Sequence, residues 1–584
     1  MRRKGLETLD PSRGALIPIG MEIEQGRVVK NGYGVFHLAW QAERHPEWPD
    51  RIAREVEQIR AGIRQAHNSP LQFLIWVGMG GSAEDKSMYQ AVGLLGRRFR
   101  TYILDSTDPE KLNSILDDMR RRGRLDDAQL LKRTLVVAMA MGMTSYEPVI
   151  NLERIAALYH AARVDANPNI YCLTLPGSLL DTFSASQGYR RVPLQLDDAN
   201  TTAGRHSAPL TRGSLYPLAL AGIDLREWIA GANLTPEEIH TAFRLAAFLQ
   251  VQAVAGRDKV TLLLPREWAG AGMWTKQNFE ESLGKSEEFG IKIIAGERVR
   301  MTNYRSPRDP HQDRVFLAVQ FKGKPAEKIA MLRRAGYPAA VLTTPASLSR
   351  YMQFIHYAVF GVAWLRKMNF VTQPGVELYK SIAHRVHAEA ERAGSILKTK
   401  EWKRAEDAVR SSVWRGRITL RWDRLPASIE PVGTTAPVLY AELVKHFFGV
   451  RQDQRQCEYG ELTFFGDMRY SARGRAVRSV LDRSAEALFR VVLKVPADVY
   501  EGPAMNHSYH EMIIGHGKCF STILIADQDQ AADYHRAQFL ATQMALAERG
   551  RAVVSITLRD REDASLRALE EFFRQAATNI RARR

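Results

Sequence analysis

Cysteine is scarce: Cys172, Cys457 and Cys519 are the only three in 584 residues. Three scattered thiols make no disulfide framework, so stability has to come from packed cores and a reducing compartment is expected. Long apolar runs are missing as well. The longest uncharged ones, Thr134–Tyr146 and Tyr351–Leu365, fall short of the roughly 20 residues a membrane span needs. Glu7 and Asp10 stand where a signal peptide would place its apolar stretch. No tandem repeat or low-complexity tract breaks the chain, and neither HExxH nor paired CxxC occurs. The histidines of His507-x-x-His510 come nearest to a metal motif, and no metal is expected there. Basic residues are in excess, 82 Lys and Arg against 65 Asp and Glu, giving +17. That balance attracts anions of many kinds. It lacks the basic run interleaved with aromatics that a single-strand binder uses, so nucleic acid is not an expected partner. A soluble, cytoplasmic protein is the expectation.

What is present is alternation. RIAREVEQIRAGIRQAH has helical spacing, and FLIWV, TYILDS, TLVVAMAM, NIYCLTL and VTLLLP are short apolar runs between helical stretches. That order predicts an α/β protein built on parallel sheets with helices on both faces. Thr235 before PEE reads as a helix N-cap. Further on, FLAVQF, ELTFFGDM, FRVVLKV, CFSTILIAD and AVVSITL read as strands, and ASLRALEEFFRQAATNI as a closing amphipathic helix. Residues 1–45 read as an arm.

Four stretches place chemistry-bearing residues where a strand hands over to a helix or loop, the place where open parallel sheets bind ligands. VGMGGSAED (Val77–Asp85) follows a strand with glycines and a helix start, which lets backbone N–H groups meet an anion. A tight turn would use the same residues. AMGMTSYEP (Ala140–Pro148) offers the hydroxyls of Thr144 and Ser145, or caps a helix before Pro148. Thr201–Asp224 contains Arg205 beside Gly204, a cation for developing negative charge or an ordinary loop arginine. GMWTKQNFEESLGK (Gly272–Lys285) puts Gln277 and Glu281 four apart on one helix face, with Glu280 about 100° away. Glu281 falls in the last turn before Gly284, where the helix dipole and partial burial both oppose its charge. That is a setting for a proton-transfer base, with Glu280 as its solvated neighbour. Taken alone, the pair is equally an exposed acidic helix end.

Together and in this order, the four resemble the phosphoglucose isomerase family, most of all the isomerase module that some bacteria fuse to transaldolase. VGMGGS is similar to the family's glycine-glycine-serine loop, and LDSTDP (Leu104–Pro109) fits that branch. AGRHS with ALAGID behind it resembles the arginine motif, and EESLGK preceded by Gln277 the glutamate motif. FVTQPGVELYK (Phe370–Lys380) is similar to a signature ending in a functional lysine, and GPAMNHSYHEM (Gly502–Met512) to a histidine-serine segment. The likeness runs from about Phe73 to the C-terminus and leaves no stretch for a transaldolase barrel of about 250 residues.

The resemblance implies two doubly wound sugar-isomerase domains, 46–230 and 231–584, the second with a helical insertion at about 393–457 and a C-terminal helix. It implies a homodimer that interconverts glucose 6-phosphate and fructose 6-phosphate through an enediolate, without metal or organic cofactor. Carried over by position, Glu281 is the base, Arg205 the enediolate stabiliser, and Lys380 and His507 the ring-opening groups. Gly81, Ser82, Thr144, Ser145 and Gln277 surround the phosphate. The chain also departs from the family. Where the phosphate loop usually reads Ser-Lys-Ser/Thr-x-Thr-Thr, this chain reads Ala140-Met141-Gly142-Met143-Thr144-Ser145, and Thr372 replaces an Asp or Asn. Each lost hydrogen bond to a phosphate costs about 1.5–3 kcal/mol. Lys86, Arg212 and Lys285 are candidate substitutes. A second expectation therefore stands beside the first: a sugar-phosphate-binding protein of the same fold with altered specificity or no catalysis.

Overall fold

The computed structural model describes the chain except for residues 2–3, 11–12, 25–26, 32–33, 97–98, 199–203, 324–326, 407–410, 423–428, 430–433, 450–455, 528–532 and 583–584. The start of the arginine stretch and parts of 393–457 thus lie outside the described residues.

Three sheets carry the described strands apart from one N-terminal hairpin. The first sheet runs in the order Arg100–Leu104, Phe73–Val77, Thr134–Met139, Ile170–Leu173, Arg190–Val192, all parallel. Its side chains alternate between two cores. Leu74 and Trp76 enter one, while Phe73, Ile75 and Val77 enter the other, which is why the run is apolar throughout. The second sheet is Ala339–Thr344, Arg314–Phe321, Lys259–Leu263, Lys292–Ile294, again parallel. One continuous core serves the first and second sheets and includes helix Leu348–Arg366. The α/β class of parallel sheets flanked by helices is as the alternation predicts.

The third sheet, Ser411–Trp414, Ile418–Trp422, Ala552–Leu558, Cys519–Ala526, Tyr459–Phe465, Ala497–Gly502, gives residues 231–584 a second sheet of their own. Its first two strands form an antiparallel hairpin added to a parallel set. The 393–457 stretch, expected as a helical insertion, therefore contains strands as well as helices Lys400–Glu406 and Ala436–Phe447. FRVVLKV is corrected too. It lies mostly in a π-helical turn, Glu486–Leu493, that continues helix Ala472–Ala485, and the strand is Ala497–Gly502. A short apolar run is ambiguous between strand and buried helix. Here Leu488, Phe489, Val492 and Leu493 have helical spacing and face the core.

Residues 1–45 are not a loose arm. They form helices Arg13–Gly20 and Gly34–Ala42 with a hairpin between, and Leu6, Leu16, Ile19 and Phe36 enter the large core. Local chemistry behaves as read at Thr235, which makes a capping box with Glu238 on helix Pro236–Val254. Such a cap contributes about 1 kcal/mol.

Two features join the third sheet to the others. In LDSTDP, Asp108 caps helix Pro109–Gly123 and accepts from the Asp467 backbone N–H at 3.1 Å. Asp105 pairs with Lys111 and with Arg469 from beyond the third sheet's strand Tyr459–Phe465. Under helix Gly272–Leu283 lies a buried group of four charges. Lys276 Nζ is 2.7 Å from Glu280 and 2.9 Å from Asp498, and Lys292 Nζ is 3.1 Å from Glu280 and 2.5 Å from Asp498. Burial pushes the Glu280 carboxyl up and the Lys276 ammonium down, against the attraction of their partners.

Candidate active site

In the first sheet the chain moves outward from Phe73–Val77 to Arg100–Leu104, then returns to Thr134–Met139 and continues the other way. The loops after Phe73–Val77 and Thr134–Met139 flank that reversal, the crevice where ligands bind in such sheets. They are VGMGGS and AMGMTS. Gly80 has φ +50, and a Cβ there would lie 2.4 Å from the His507 carbonyl oxygen. A Cβ at Gly81 would lie 3.0 Å from Arg205 Cβ and 2.9 Å from Met141 Cε. Glycine is thus required for the loop to touch the histidine and arginine segments together.

Arg205 and Glu281 meet directly. Arg205 Nη1 donates to Glu281 Oε1 at 3.0 Å, while Nε and Nη2 donate to Ser282 Oγ and Nη2 also to the Phe370 carbonyl at 2.6 Å. Gln277 donates to Glu281 Oε2 at 2.8 Å, and Gln373 donates to Oε1. Gln277, placed around the phosphate by the resemblance, is here a partner of the carboxylate. Helix Gly272–Leu283 is followed by Gly284, where a Cβ would lie 2.4 Å from Met512 Cβ, so the close approach of the Met512 segment needs glycine there. Glu281 falls in the final turn.

Glu280 is corrected: it is not a solvated neighbour but fully buried in the lysine group beneath the helix, also accepting from the Ile293 N–H at 3.0 Å. The two adjacent carboxylates point about 100° apart around their helix, one into the site and one into the lysine group.

Lys380 lies in the second turn of helix Pro374–Ala393, which begins just after Gln373. Its Nζ is 2.9 Å from Glu377 Oε1 and 3.8 Å from where a Cβ of Gly142 would stand. It therefore faces the loop that lacks the family's lysine. Thr144 and Ser145 lie in that same loop, and Ser82 lies in the turn after strand Phe73–Val77. The proposed substitutes sit elsewhere. Lys86 is buried against Asp85 at 2.8 Å and stacks on Trp76, Arg212 is held by Glu55, and Lys285 donates to the Asn369 carbonyl.

His507 Nε2 is 2.8 Å from Glu147 Oε1, which also accepts from Tyr534 and Gln538. Burial alone would raise Glu147, but the charge and hydrogen bond of His507 outweigh it and hold the carboxyl at about 2. Its neighbours diverge: His510 faces Glu461 and His516 faces the Ser286 carbonyl. Among the described residues no three His, Cys, Asp or Glu side chains converge as metal ligands.

Sequence reasoning missed four residues of this site: Glu147, Ser282, Gln373 and Glu511. All four lie inside the motifs above, but nothing in a motif tells which distant group each one meets. Glu511 Oε2 accepts from the Val376 N–H at 2.9 Å, at the start of the Lys380 helix. Burial and the Glu281 charge raise its carboxyl to about 7, against Lys285, the Val376 N–H and Arg205. Its free oxygen Oε1 is buried without a hydrogen-bond partner.

This has a consequence for stability. Unfolded, the Glu511 carboxyl ionises near 4.5. Between that value and about 7 the folded protein keeps a proton that the unfolded chain has lost. The stabilisation is therefore full below pH 4.5 and is lost as pH rises through 7, an effect of about 3 kcal/mol. Glu84, also raised to about 7 by burial and Asp105, acts in the same window. Glu511→Gln is expected to make the fall of the thermal midpoint between pH 5 and 8 shallower than in the wild type. Parallel curves would remove Glu511 from the linkage.

Parallel sheets with helices on both faces define the class: an α/β protein of the doubly wound, open-sheet kind. The glucose-6-phosphate isomerase of Chlamydia trachomatis shares this fold, with a TM-score of 0.50 over 69% of this chain and 86% of that one, at 17% identity. In sequence, the chain is 29% identical over 260 residues to glucose-6-phosphate isomerase of Synechococcus sp. strain JA-3-3Ab, covering 41% of this chain and 47% of that protein. It is 26% identical over 260 residues to glucose-6-phosphate isomerase of Geobacter sulfurreducens, covering 42% and 47%. The chain spans about half the length of the relatives it matches, and no family model matches it. Among the described residues no helix is long and apolar enough to cross a membrane.

Proposed function

We propose that this protein is an aldose–ketose isomerase that interconverts glucose 6-phosphate and fructose 6-phosphate. The observation that carries the reading is the contact of Arg205 with Glu281, a base candidate and a cation 76 residues apart in sequence and 3.0 Å apart in space. An isomerase of this kind needs a carboxylate to carry a proton between adjacent carbons and a cation beside the enediolate oxygens. Glu281 takes the first role and Arg205 the second. A sugar entering between them takes up the guanidinium's donors and frees the carboxylate. His507, oriented by Glu147, moves the proton at the ring oxygen, with Lys380 beside it. Gly81, Ser82, Thr144 and Ser145 receive the phosphate. Lys380, near Gly142, supplies the positive charge that Met141 cannot, and so carries part of the phosphate's affinity.

The late position of His507 supports the fused-module branch as the nearest type. The homodimer and cytoplasmic setting belong to the same reading, although Arg205, Glu281, Lys380 and His507 all come from one chain. Ala140-Met141-Gly142 favours a second reading, the same chemistry or plain binding with a different sugar phosphate. One assay separates them: fructose 6-phosphate is offered beside other ketose phosphates, with the aldose product measured by a coupled dehydrogenase. Preferred turnover of fructose 6-phosphate is the expected result. Preference for another ketose phosphate moves the protein to the altered-specificity reading, and binding without turnover to a sensor.

A further inference from the structure

Behind Arg205 stand three buried side chains that this chemistry does not use: Ser282, His206 and His356. Ser282 Oγ is 3.1 Å from Arg205 Nε and 2.9 Å from Nη2. On its far side His206 Nε2 lies 3.5 Å away. His206 Nδ1 faces His356 Nδ1 at 3.4 Å, and His356 Nε2 ends on the Ala208 carbonyl at 2.7 Å.

The two ends of this chain fix the direction of every bond in it. A carbonyl oxygen only accepts, so His356 Nε2 carries the proton. Both rings are neutral at pH 7. Burial, with Arg205 adding to it, pushes His206 well below its ordinary range, and burial brings His356 down to about 3. A neutral imidazole has a single N–H, so His356 Nδ1 is a bare acceptor and His206 Nδ1 donates to it. His206 Nε2 is then bare, and the Ser282 hydroxyl donates to it. The lone pairs of the serine oxygen are left for Arg205, whose N–H groups only donate. Reversing a link within the chain would set two donors, or two acceptors, against each other in a buried site; the Phe370 carbonyl, which also bonds the His206 ring, is the competing acceptor outside it.

We propose that His356 and His206 are positioning residues, forming a one-way relay from the Ala208 carbonyl that fixes Ser282 as an acceptor and so aims the Arg205 guanidinium at Glu281. Arg205 has five N–H groups. Nε–H and one from Nη2 go to Ser282, the other from Nη2 to Phe370, and one from Nη1 to Glu281. The second N–H of Nη1, next to Glu281, is the donor available to a ligand oxygen.

The first test reads the tautomers in the full chain labelled with 15N-histidine, with signals assigned through His206→Asn and His356→Asn. At pH 7 His356 is expected neutral with its proton on Nε2, and His206 neutral with its proton on Nδ1. A proton on His206 Nε2, or a charged ring at either position, overturns the relay whether or not the protein isomerises sugars. The second test reads rates and rests on the isomerase proposal. His356→Leu removes the acceptor for His206 Nδ1 and lets that ring turn an N–H towards Ser282. The expected result is a fall in kcat of roughly ten- to a hundredfold with KM changed far less. His356→Gln, whose amide can both donate to Ala208 and accept from His206, restores most of the rate. Equal loss in both variants, with the His206 tautomer unchanged, would show a structural role only. A wild type that does not isomerise sugars sinks the isomerase proposal and leaves the tautomer result to decide the relay.

Discussion

Glu281→Gln is expected to lower kcat for fructose 6-phosphate by roughly 10³–10⁴-fold, the range for losing a positioned general base. The amide keeps the shape and the acceptor oxygen for Arg205 Nη1 but cannot hold the travelling proton. Some stability goes with the charge, because Arg205 loses its nearest counter-ion at 3.0 Å. Part of that is returned locally. The Glu281 charge is one of the things raising the Glu511 carboxyl, so its removal lets Glu511 ionise at lower pH and restores a negative charge near the guanidinium. Rates are therefore to be compared at a temperature where melting curves show both proteins folded, beside sugar-phosphate affinity, which is expected to survive. Full turnover in the folded variant would remove Glu281 from the mechanism.

The same substitution one residue earlier is expected to fail in a different way. Glu280→Gln takes one of two carboxylates from a buried group holding two lysines, and sets an amide N–H against Lys292. Breaking a buried ion pair from one side costs about 3–5 kcal/mol. The thermal midpoint should therefore fall well below that of Glu281→Gln, while whatever protein remains folded keeps most of its kcat. Denaturation curves and kcat per folded molecule give the two quantities. A Glu280→Gln protein as stable as the wild type would mean that the charges under the helix do not depend on one another.

The contrast between these neighbours shows what could and could not be read in the chain. The 100° step between them is helix geometry, so their divergence was legible. Which of them faces the site was not, because the answer depends on Lys292 and Asp498, carried by strands of the second and third sheets. The pairing of His507 with Glu147 has the same character, since 360 residues separate them. Both residues lie in stretches that stood out for other reasons, and nothing in either stretch names the other. The missing lysine of the phosphate loop is a third case. Lys86, Arg212 and Lys285 were the candidates in sequence, and Lys380 is the cation that the fold brings to Gly142.

Elements failed to read wherever local pattern was ambiguous. FRVVLKV is apolar enough for a strand and spaced well enough for a helix, and continuation of the preceding helix with Leu488, Phe489, Val492 and Leu493 in the core decided it. The N-terminal 45 residues lack periodicity because they are used piecewise, Leu6, Leu16, Ile19 and Phe36 each filling a gap in a core built by others.

The amino-acid order on its own determined the parallel-sheet class, most helix and strand identities, the capped start at Thr235, and the stretches that hold Arg205, Glu281, Lys380 and His507. The elements, the cap and the stretches of Arg205 and Glu281 follow from short-range rules: side-chain periodicity, capping, and where glycine is tolerated; the stretches of Lys380 and His507 stood out only by their resemblance to a known family. Tertiary structure alone decided the division of residues 231–584 between two sheets, the burial of Glu280, the Glu147–His507 contact and the histidine chain behind Arg205. The reason is that a buried charge or imidazole takes its state from the groups packed against it. Those groups arrive from remote segments whose meeting no local pattern encodes.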